Sequence, residues 1–206
     1  MHYCGVVPVQ QGLQLALLEE VRDPEPPIRL SALFYEPGPA AQVAEELRTL
    51  GNVVVGVGAP LSGGHPEVDR LVEQLGLPAF DPEDDHGVVP DGSYRDAPVF
   101  PTDPDQVFYA LQGRRLPAKR HPYGIQLRIH ELMEDRVTDE GGDLWYRRIE
   151  EIDAIACALC AHRHAVGHAS WRSEAPRGLI VLPGTAVPDS FPTQGVMPPV
   201  ERITLP

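Results

Sequence analysis

The sequence predicts a single α/β domain built around one mixed β-sheet. Residues 52–62 form an apolar, β-branched run that begins after Gly51 and ends before Gly63, and no polar alternation interrupts it. Such a run is typical of a central strand that is covered on both faces, and strand-like and helix-like segments lie on either side of it. Because α/β sheets bind ligands at the carboxyl ends of their strands, we expect a site near residues 58–60.

Three antiparallel strands are predicted before this central strand. Residues 2–9 and 13–18 are typical of a hairpin, and the alternating segment 28–35 predicts the third strand. A helix should then begin near Pro39 and end at Gly51. The chain would thus return to place its central strand beside the first.

The second half of the chain is expected to complete the sheet and cover it. Its predicted elements are a helix closed by Gly76, a long surface excursion over residues 78–98, a short strand at 97–100, helices over 105–111 and 123–135, and a closing strand at 178–183. A longer helix precedes that closing strand, with Asp143 as its expected N-cap. We predict a domain of residues 1–183 and a Pro-rich C-terminal tail of residues 184–206.

One acidic residue lies within the apolar stripe predicted for the long helix. Asp153 falls among the apolar residues of that stripe, and Glu150 lies on its edge. A carboxylate on a buried helix face costs several kcal/mol unless a backbone donor, an arginine or a metal ion compensates it. A structural carboxylate and a metal-binding or catalytic one are both compatible with this pattern.

The composition limits the classes of partner. The net charge of −13 argues against binding of nucleic acid by overall charge, so any such contact must be local. One basic stretch could supply it, and its residues are Arg114, Arg115, Lys119, Arg120, Arg128 and Arg136. No apolar run reaches the roughly 20 residues that cross a bilayer, and we expect no membrane partner. The absence of a signal-peptide pattern, and only three cysteines, favour the cytoplasm.

The predicted order of elements, with an acidic residue early in the last helix, resembles the ribonuclease H fold. Local motifs also resemble the domain-of-unknown-function family 429, which is described as predicted nucleases with that fold. The matching segments cover nearly the whole chain: Gly5-Val6-Val7, Val57-Gly58-Ala59-Pro60-Leu61, Asp69-Arg70 with Leu75-Gly76, Phe100 to Pro104, the spacing of Lys119, Gly124, Arg128 and Leu132, Asp153-Ala154, and Gly178 to Pro183. The resemblance implies a mixed five-stranded sheet, three antiparallel strands followed by parallel additions, with helices on both faces.

The resemblance also implies a chemistry that this chain has largely lost. Nucleases of this fold hold two divalent ions, Mg²⁺ or Mn²⁺, with carboxylates from the first strand, the central strand and the last helix. Here Val7, Gly58 and Pro101 stand at acidic positions of the family pattern, and of that set only Asp153 remains. We therefore predict a ribonuclease H-like domain with weak or absent nuclease activity, and with a possible binding role.

Two alternatives remain open. An active nuclease would use Asp153, Asp103 and Glu150 as catalytic residues and Asp153 and Asp103 as metal ligands. Its substrate would be contacted by Lys119, Arg128 and Arg120. The other alternative is a homodimeric assembly protein that uses the tail or an exposed sheet edge.

Two cysteines in the long helix suggest a zinc site at first sight. Cys157 and Cys160 precede His162, His164 and His168, but four ligands from one continuous helix cannot surround an ion tetrahedrally. We predict that these cysteines pack in the core.

Overall fold

The computed structural model describes residues 1–21, 29–174, 178–185 and 188–193. The strands are β1 (His2–Val9), β2 (Gly12–Val21), β3 (Arg29–Phe34), β4 (Val53–Val57), β5 (His86–Val88), β6 (Val99–Pro101), β7 (Val137–Asp139), β8 (Ala169–Glu174) and β9 (Gly178–Pro183). The α-helices are α1 (Ala40–Leu50), α2 (Pro66–Leu75), α3 (Pro104–Gln112), α4 (Pro122–Glu134) and α5 (Ile149–Ala165). Short 3₁₀ helices lie at Ser93–Arg95 and Leu144–Tyr146.

The main sheet has the order β6-β4-β1-β2-β3-β7. Strands β1, β2 and β3 are successively antiparallel, and β4 returns to lie parallel beside β1. Strand β6 then adds parallel to β4. This arrangement confirms the predicted fold class, a ribonuclease H-like α/β fold with helices on both faces of the sheet.

The strand count differs from the prediction. The main sheet has six strands in place of five, because β7 pairs parallel with the outer side of β3. A second sheet, of order β5-β8-β9, contains the predicted closing strand. Strand β5 lies inside the segment predicted as a long surface excursion. Each of β5 and β7 spans three residues, which is too short to show a period in the sequence.

Helix α5 is the centre of the core. Fourteen of its 17 residues are buried, whereas the sequence analysis predicted a single apolar stripe. One side of α5 faces the main sheet, and α3, α4 and the second sheet cover the other side. Helices α1 and α2 close the opposite face of the main sheet. A helix that is enclosed all round can bury small residues on every side, which explains its many alanines.

Two neighbouring glycines bring α5 directly onto the main sheet. Gly5 of β1 lies beside Gly56 of β4 in the parallel register. A Cβ atom on Gly5 would lie 1.8 Å from the carbonyl oxygen of Ala154, and one on Gly56 would lie 2.5 Å from that of Cys157. The helix backbone therefore rests on the strands, and the first turns of α5 lie at the carboxyl ends of β1 and β4.

The start of α5 corrects the predicted N-cap. Asp143 caps the 3₁₀ helix instead, because its Oδ1 accepts a hydrogen bond from the backbone N–H of Trp145 at 3.0 Å. Helix α5 begins six residues later at Ile149, where Glu151 Oε2 accepts from the backbone N–H of Arg148 at 2.8 Å. The described part of the chain contains no helix that is long and apolar enough to cross a membrane.

The predicted tail is described in part. Residues 188–193 lie on the domain surface, where Phe191 is buried. Residues 186–187 and 194–206 fall outside the described residues, and the domain boundary after residue 183 stays a prediction.

Candidate functional site

The candidate site lies where β1 and β4 end and α5 begins, at the sheet edge that the sequence analysis selected. Its surface is closed by apolar atoms at positions 7 and 58, where the family resemblance implies carboxylates. A Cβ atom on Gly58 would lie 2.7 Å from Val7 Cγ1, 3.1 Å from Cys157 Sγ and 3.2 Å from Pro104 Cγ. Side chains from three elements thus fill the space that a carboxylate at position 58 would need.

Asp153 forms an ion pair with the only lysine of the chain. Lys119 Nζ lies 2.6 Å from Asp153 Oδ2, and the two side chains are 38% and 8% exposed. The other carboxylate oxygen, Oδ1, is buried and has no hydrogen-bond partner among the described residues. Asp153 therefore relies on Lys119, where the sequence analysis considered an arginine, a backbone donor or a metal ion.

Burial dominates the electrostatics of this pair. Desolvation raises the pKa of Asp153 from 3.8 to about 6, although the hydrogen bond and charge of Lys119 act in the opposite direction. Desolvation lowers the pKa of Lys119, but the hydrogen bond and charge of Asp153 outweigh it, so the net shift is upward. The ammonium group thus stays protonated at neutral pH, and Asp153 titrates closer to neutrality than an exposed carboxyl group.

Arg128 holds the loop that carries Lys119. Its guanidinium is 1% exposed; it donates to the carbonyl oxygens of Pro117 at 3.0 Å and Gly124 at 2.9 Å, and to Asp105 Oδ1 at 2.7 Å. Gly124 allows the close approach of α4, because a Cβ atom there would lie 2.2 Å from the carbonyl oxygen of Ala118. The spacing of lysine, glycine and arginine in the sequence therefore has a structural cause.

This burial changes the interpretation of Arg128, which the sequence analysis assigned to substrate binding. All the hydrogen bonds described for its guanidinium point into the protein, and its carbon lies 5.5 Å from the centre of the Phe108 ring. We interpret Arg128 as a residue that positions Lys119. Arg120, also predicted to contact substrate, is exposed on the same loop.

The other two predicted catalytic residues, Asp103 and Glu150, have different environments from Asp153. Asp103 is the N-cap of α3, where its Oδ1 accepts from the backbone N–H of Gln106 at 3.2 Å. Glu150 is exposed in the first turn of α5. Burial raises the pKa of the Cys157 thiol, and the charges of Asp153 and Asp103 raise it further. Asp153 and Asp103 are thus both close enough to act on the Cys157 thiol. Cys157 lies one helical turn after Asp153 on α5.

The residues present do not fit a pair of divalent ions. Two such ions need several oxygen ligands each, mostly carboxylates. Val7 and Gly58 offer no side-chain ligand, Asp103 caps a helix, and Asp153 is paired with Lys119. Within the described ranges, no group of three or more His, Cys, Asp or Glu side chains could hold a metal ion.

The cysteines and histidines of α5 lie in the core. Cys157 and Cys160 are fully buried, and Cys160 Sγ lies 3.4 Å from the carbonyl oxygen of Val181. His164 stacks on Phe100 with a centroid distance of 4.6 Å. Burial lowers the pKa of His164 to about 4, so this imidazole is neutral at pH 7.

A cleft of about 490 Å³ opens beside the candidate site at the carboxyl end of β4. Residues 60–64 form one wall, and Phe80, Pro101, Gly178 and Leu179 contribute to the others. The sequence analysis expected a site near residues 58–60, next to this cleft, but it could not identify Phe80 or Leu179. Those residues come from segments that only the tertiary fold brings to this edge.

Comparisons with known proteins give a distant structural likeness. No protein-family model matches the chain, and no curated protein is significantly similar to it. Among solved structures, RuvC from Thermus thermophilus is similar, with 17% sequence identity and a TM-score of 0.45. The likeness covers 80% of this chain and 94% of that one.

Proposed function

We propose that this protein is a ribonuclease H-like domain that binds its ligand without hydrolysing phosphodiester bonds. At the end of the sheet, the Lys119–Asp153 ion pair stands where an active nuclease of this fold would hold two divalent metal ions with carboxylates. Two-metal hydrolysis needs one ion to activate water and another to stabilise the leaving oxygen. A single carboxylate that is already neutralised by an ammonium group cannot hold both ions.

The observation that carries this proposal is the packing at Gly58. A carboxylate at that position would have to displace Val7, Cys157 and Pro104, which already touch the space of its Cβ atom. The loss of the acidic residues is thus matched by a repacked surface. The motifs that resemble family 429 support the same proposal, since their departures fall at these positions.

Exposed arginines beside the ion pair offer a binding surface for phosphate groups. Arg114, Arg115 and Arg120 are exposed on the loop that presents Lys119. Guanidinium groups bind phosphate oxygens in a bidentate manner. We propose nucleic acid as the ligand class, contacted through its phosphate groups. Its affinity should fall as the salt concentration rises, because each arginine–phosphate contact releases counterions.

Labelled single-stranded and duplex DNA and RNA oligonucleotides, incubated with the protein in Mg²⁺ or Mn²⁺, test the proposal. We expect no more cleavage by the wild type than by Asp153→Asn. In the same buffers, fluorescence anisotropy should show salt-dependent binding that Arg120→Gln weakens. Arg70→Gln, a change of an exposed arginine on α2, is the matched control and should leave binding unchanged.

Two results would contradict the proposal in different ways. Metal-dependent cleavage that disappears in Asp153→Asn would establish the active alternative, with Asp153, Asp103 and Glu150 around one ion. Absence of both cleavage and binding, together with a dimeric mass in solution, would favour the assembly protein.

A further inference from the structure

The described C-terminal residues 188–193, here called the strap, are seated on α3 and β8 by one aromatic side chain. Phe191 is 6% exposed, and its ring centroid lies 5.9 Å from that of Tyr109 on α3. The guanidinium carbon of Arg172 on β8 lies 5.7 Å from the centre of the Phe191 ring. These contacts bury an aromatic ring between a second ring and a cation, an arrangement that stabilises the seated strap.

One backbone hydrogen bond joins the strap to the loop that carries Lys119. The N–H of Arg115 donates to the carbonyl oxygen of Pro192 at 3.0 Å. At the other end of the strap, Arg172 Nη1 donates to the carbonyl oxygen of Pro188. Arg115 follows Gly113, the residue that ends α3, by two positions. The strap therefore fixes the loop where it leaves α3.

The same loop is fixed a second time just before Lys119. Leu116 is buried, and the carbonyl oxygen of Pro117 accepts from Arg128 Nη1 at 3.0 Å. Lys119 follows two residues after this second attachment, where its ammonium reaches Asp153. The strap holds Arg115 and Arg128 holds Pro117 two residues later, so release of the strap removes the first of these two attachments.

We propose that the strap positions Lys119 against Asp153, so that the C-terminal segment controls whether the ion pair forms. With Phe191 seated, the loop is fixed at Arg115 and the ammonium stays on the carboxylate. Once Phe191 leaves its site, the loop opens locally and Lys119 becomes exposed to solvent. The inference takes from the proposed function only the identity of the Lys119–Asp153 site.

The reactivity of Lys119 tests this proposal, because the full chain contains no other lysine. An amine-acylating reagent is added to the folded protein, and peptide mapping separates modification of Lys119 from that of the N-terminal amine. We expect Phe191→Ala to accelerate acylation of Lys119 by about tenfold, through a larger population of the open loop. Asp153→Asn, which removes the partner of the ammonium, gives the rate of the released lysine.

Tyr35→Ala is the matched control, since it removes a partly buried aromatic side chain that packs with α1 on the opposite face of the sheet. It should leave the acylation rate at the wild-type value. Hydrogen exchange of the Arg115 amide reports strap release independently, because its acceptor is Pro192. Both rates should rise in Phe191→Ala, and Phe191→Leu, which keeps an apolar side chain, should restore most of the protection.

In Phe191→Ala, an unchanged rate of Lys119 acylation together with faster hydrogen exchange of the Arg115 amide would overturn the proposal. The strap would then have a structural role alone. Unchanged exchange at Arg115 would overturn it as well. If Phe191→Ala does not fold, the same two rates in Tyr109→Ala, which removes the ring that packs against Phe191, decide by the same criterion. Cleavage of oligonucleotides would disprove the proposed function and leave this test unaffected.

Discussion

Substitution of Gly5 by alanine is expected to destabilise the fold by about 4 kcal/mol or more, because its added Cβ atom would make the shortest contact among the described glycines. The added Cβ atom would lie 1.8 Å from the carbonyl oxygen of Ala154 and 2.4 Å from the backbone nitrogen of Ala158. Both clashes involve backbone atoms, so no rotamer change relieves them. Strand β1 and helix α5 would have to separate.

Separation of β1 from α5 would disturb both the core and the candidate site. The same contact holds the first turns of α5, and with them Asp153, over the end of the sheet. A loss of about 4 kcal/mol is a large part of the 5–15 kcal/mol that stabilises a typical domain. Urea unfolding of Gly5→Ala should therefore show a much lower midpoint, or no folded protein at all.

Gly142→Ala is the control for this prediction. Gly142 is exposed, and the nearest atom to its added Cβ would be Asp139 Oδ2 at 3.9 Å. Its unfolding midpoint should match that of the wild type. A Gly5→Ala protein with wild-type stability would show that α5 does not lie directly on β1.

The free energy of unfolding of Asp153→Asn, relative to that of the wild type, is expected to increase as the pH rises. The folded-state pKa of Asp153 is raised from 3.8 to about 6. The folded protein thus binds more protons than the unfolded chain between these values, and wild-type stability falls as the pH rises through them. The complete pKa shift corresponds to a loss of about 3 kcal/mol in the free energy of unfolding. About 1 kcal/mol of this loss occurs above pH 5.2.

Asparagine keeps the shape of the side chain and does not ionise. The stability of Asp153→Asn relative to wild type should therefore increase by about 1 kcal/mol between pH 5.2 and pH 8, as measured by urea unfolding at both values. Lys119 tolerates the loss of its partner because its side chain is 38% exposed to solvent. Glu150→Gln, an exposed change of the same kind on the same helix, is the matched control. If the stability of Asp153→Asn relative to the wild type decreased as the pH rose, Lys119 would stabilise the carboxylate more than burial opposes it.

The sequence predicted most of the main sheet because its strands have clear periods and glycine boundaries. Residues 52–62 and 2–9 identified the central pair, and the order of elements then fixed their neighbours. Short strands such as β7 carry no period of their own. They form because the neighbouring β3 offers an unpaired edge, which is a tertiary property.

The sequence located the buried carboxylate but did not identify its partner. Asp153 stood out because it interrupts an apolar stripe, a local signal. Lys119 lies 34 positions away in a stretch that reads as a solvated basic loop. Only the packing of Gly124 against Ala118, and the hydrogen bonds of Arg128, bring its ammonium to the carboxylate. Two signals in the sequence mark this residue: it is the single lysine among 17 basic residues, and it shares a regular spacing with Gly124 and Arg128.

Titration calorimetry with Mn²⁺ tests most directly whether the Lys119–Asp153 ion pair has replaced a metal site. We expect the wild type and Asp153→Asn to give the same heats, equal to those of dilution, because Lys119 already neutralises the single carboxylate. Stoichiometric Mn²⁺ binding by the wild type that disappears in Asp153→Asn would contradict this account.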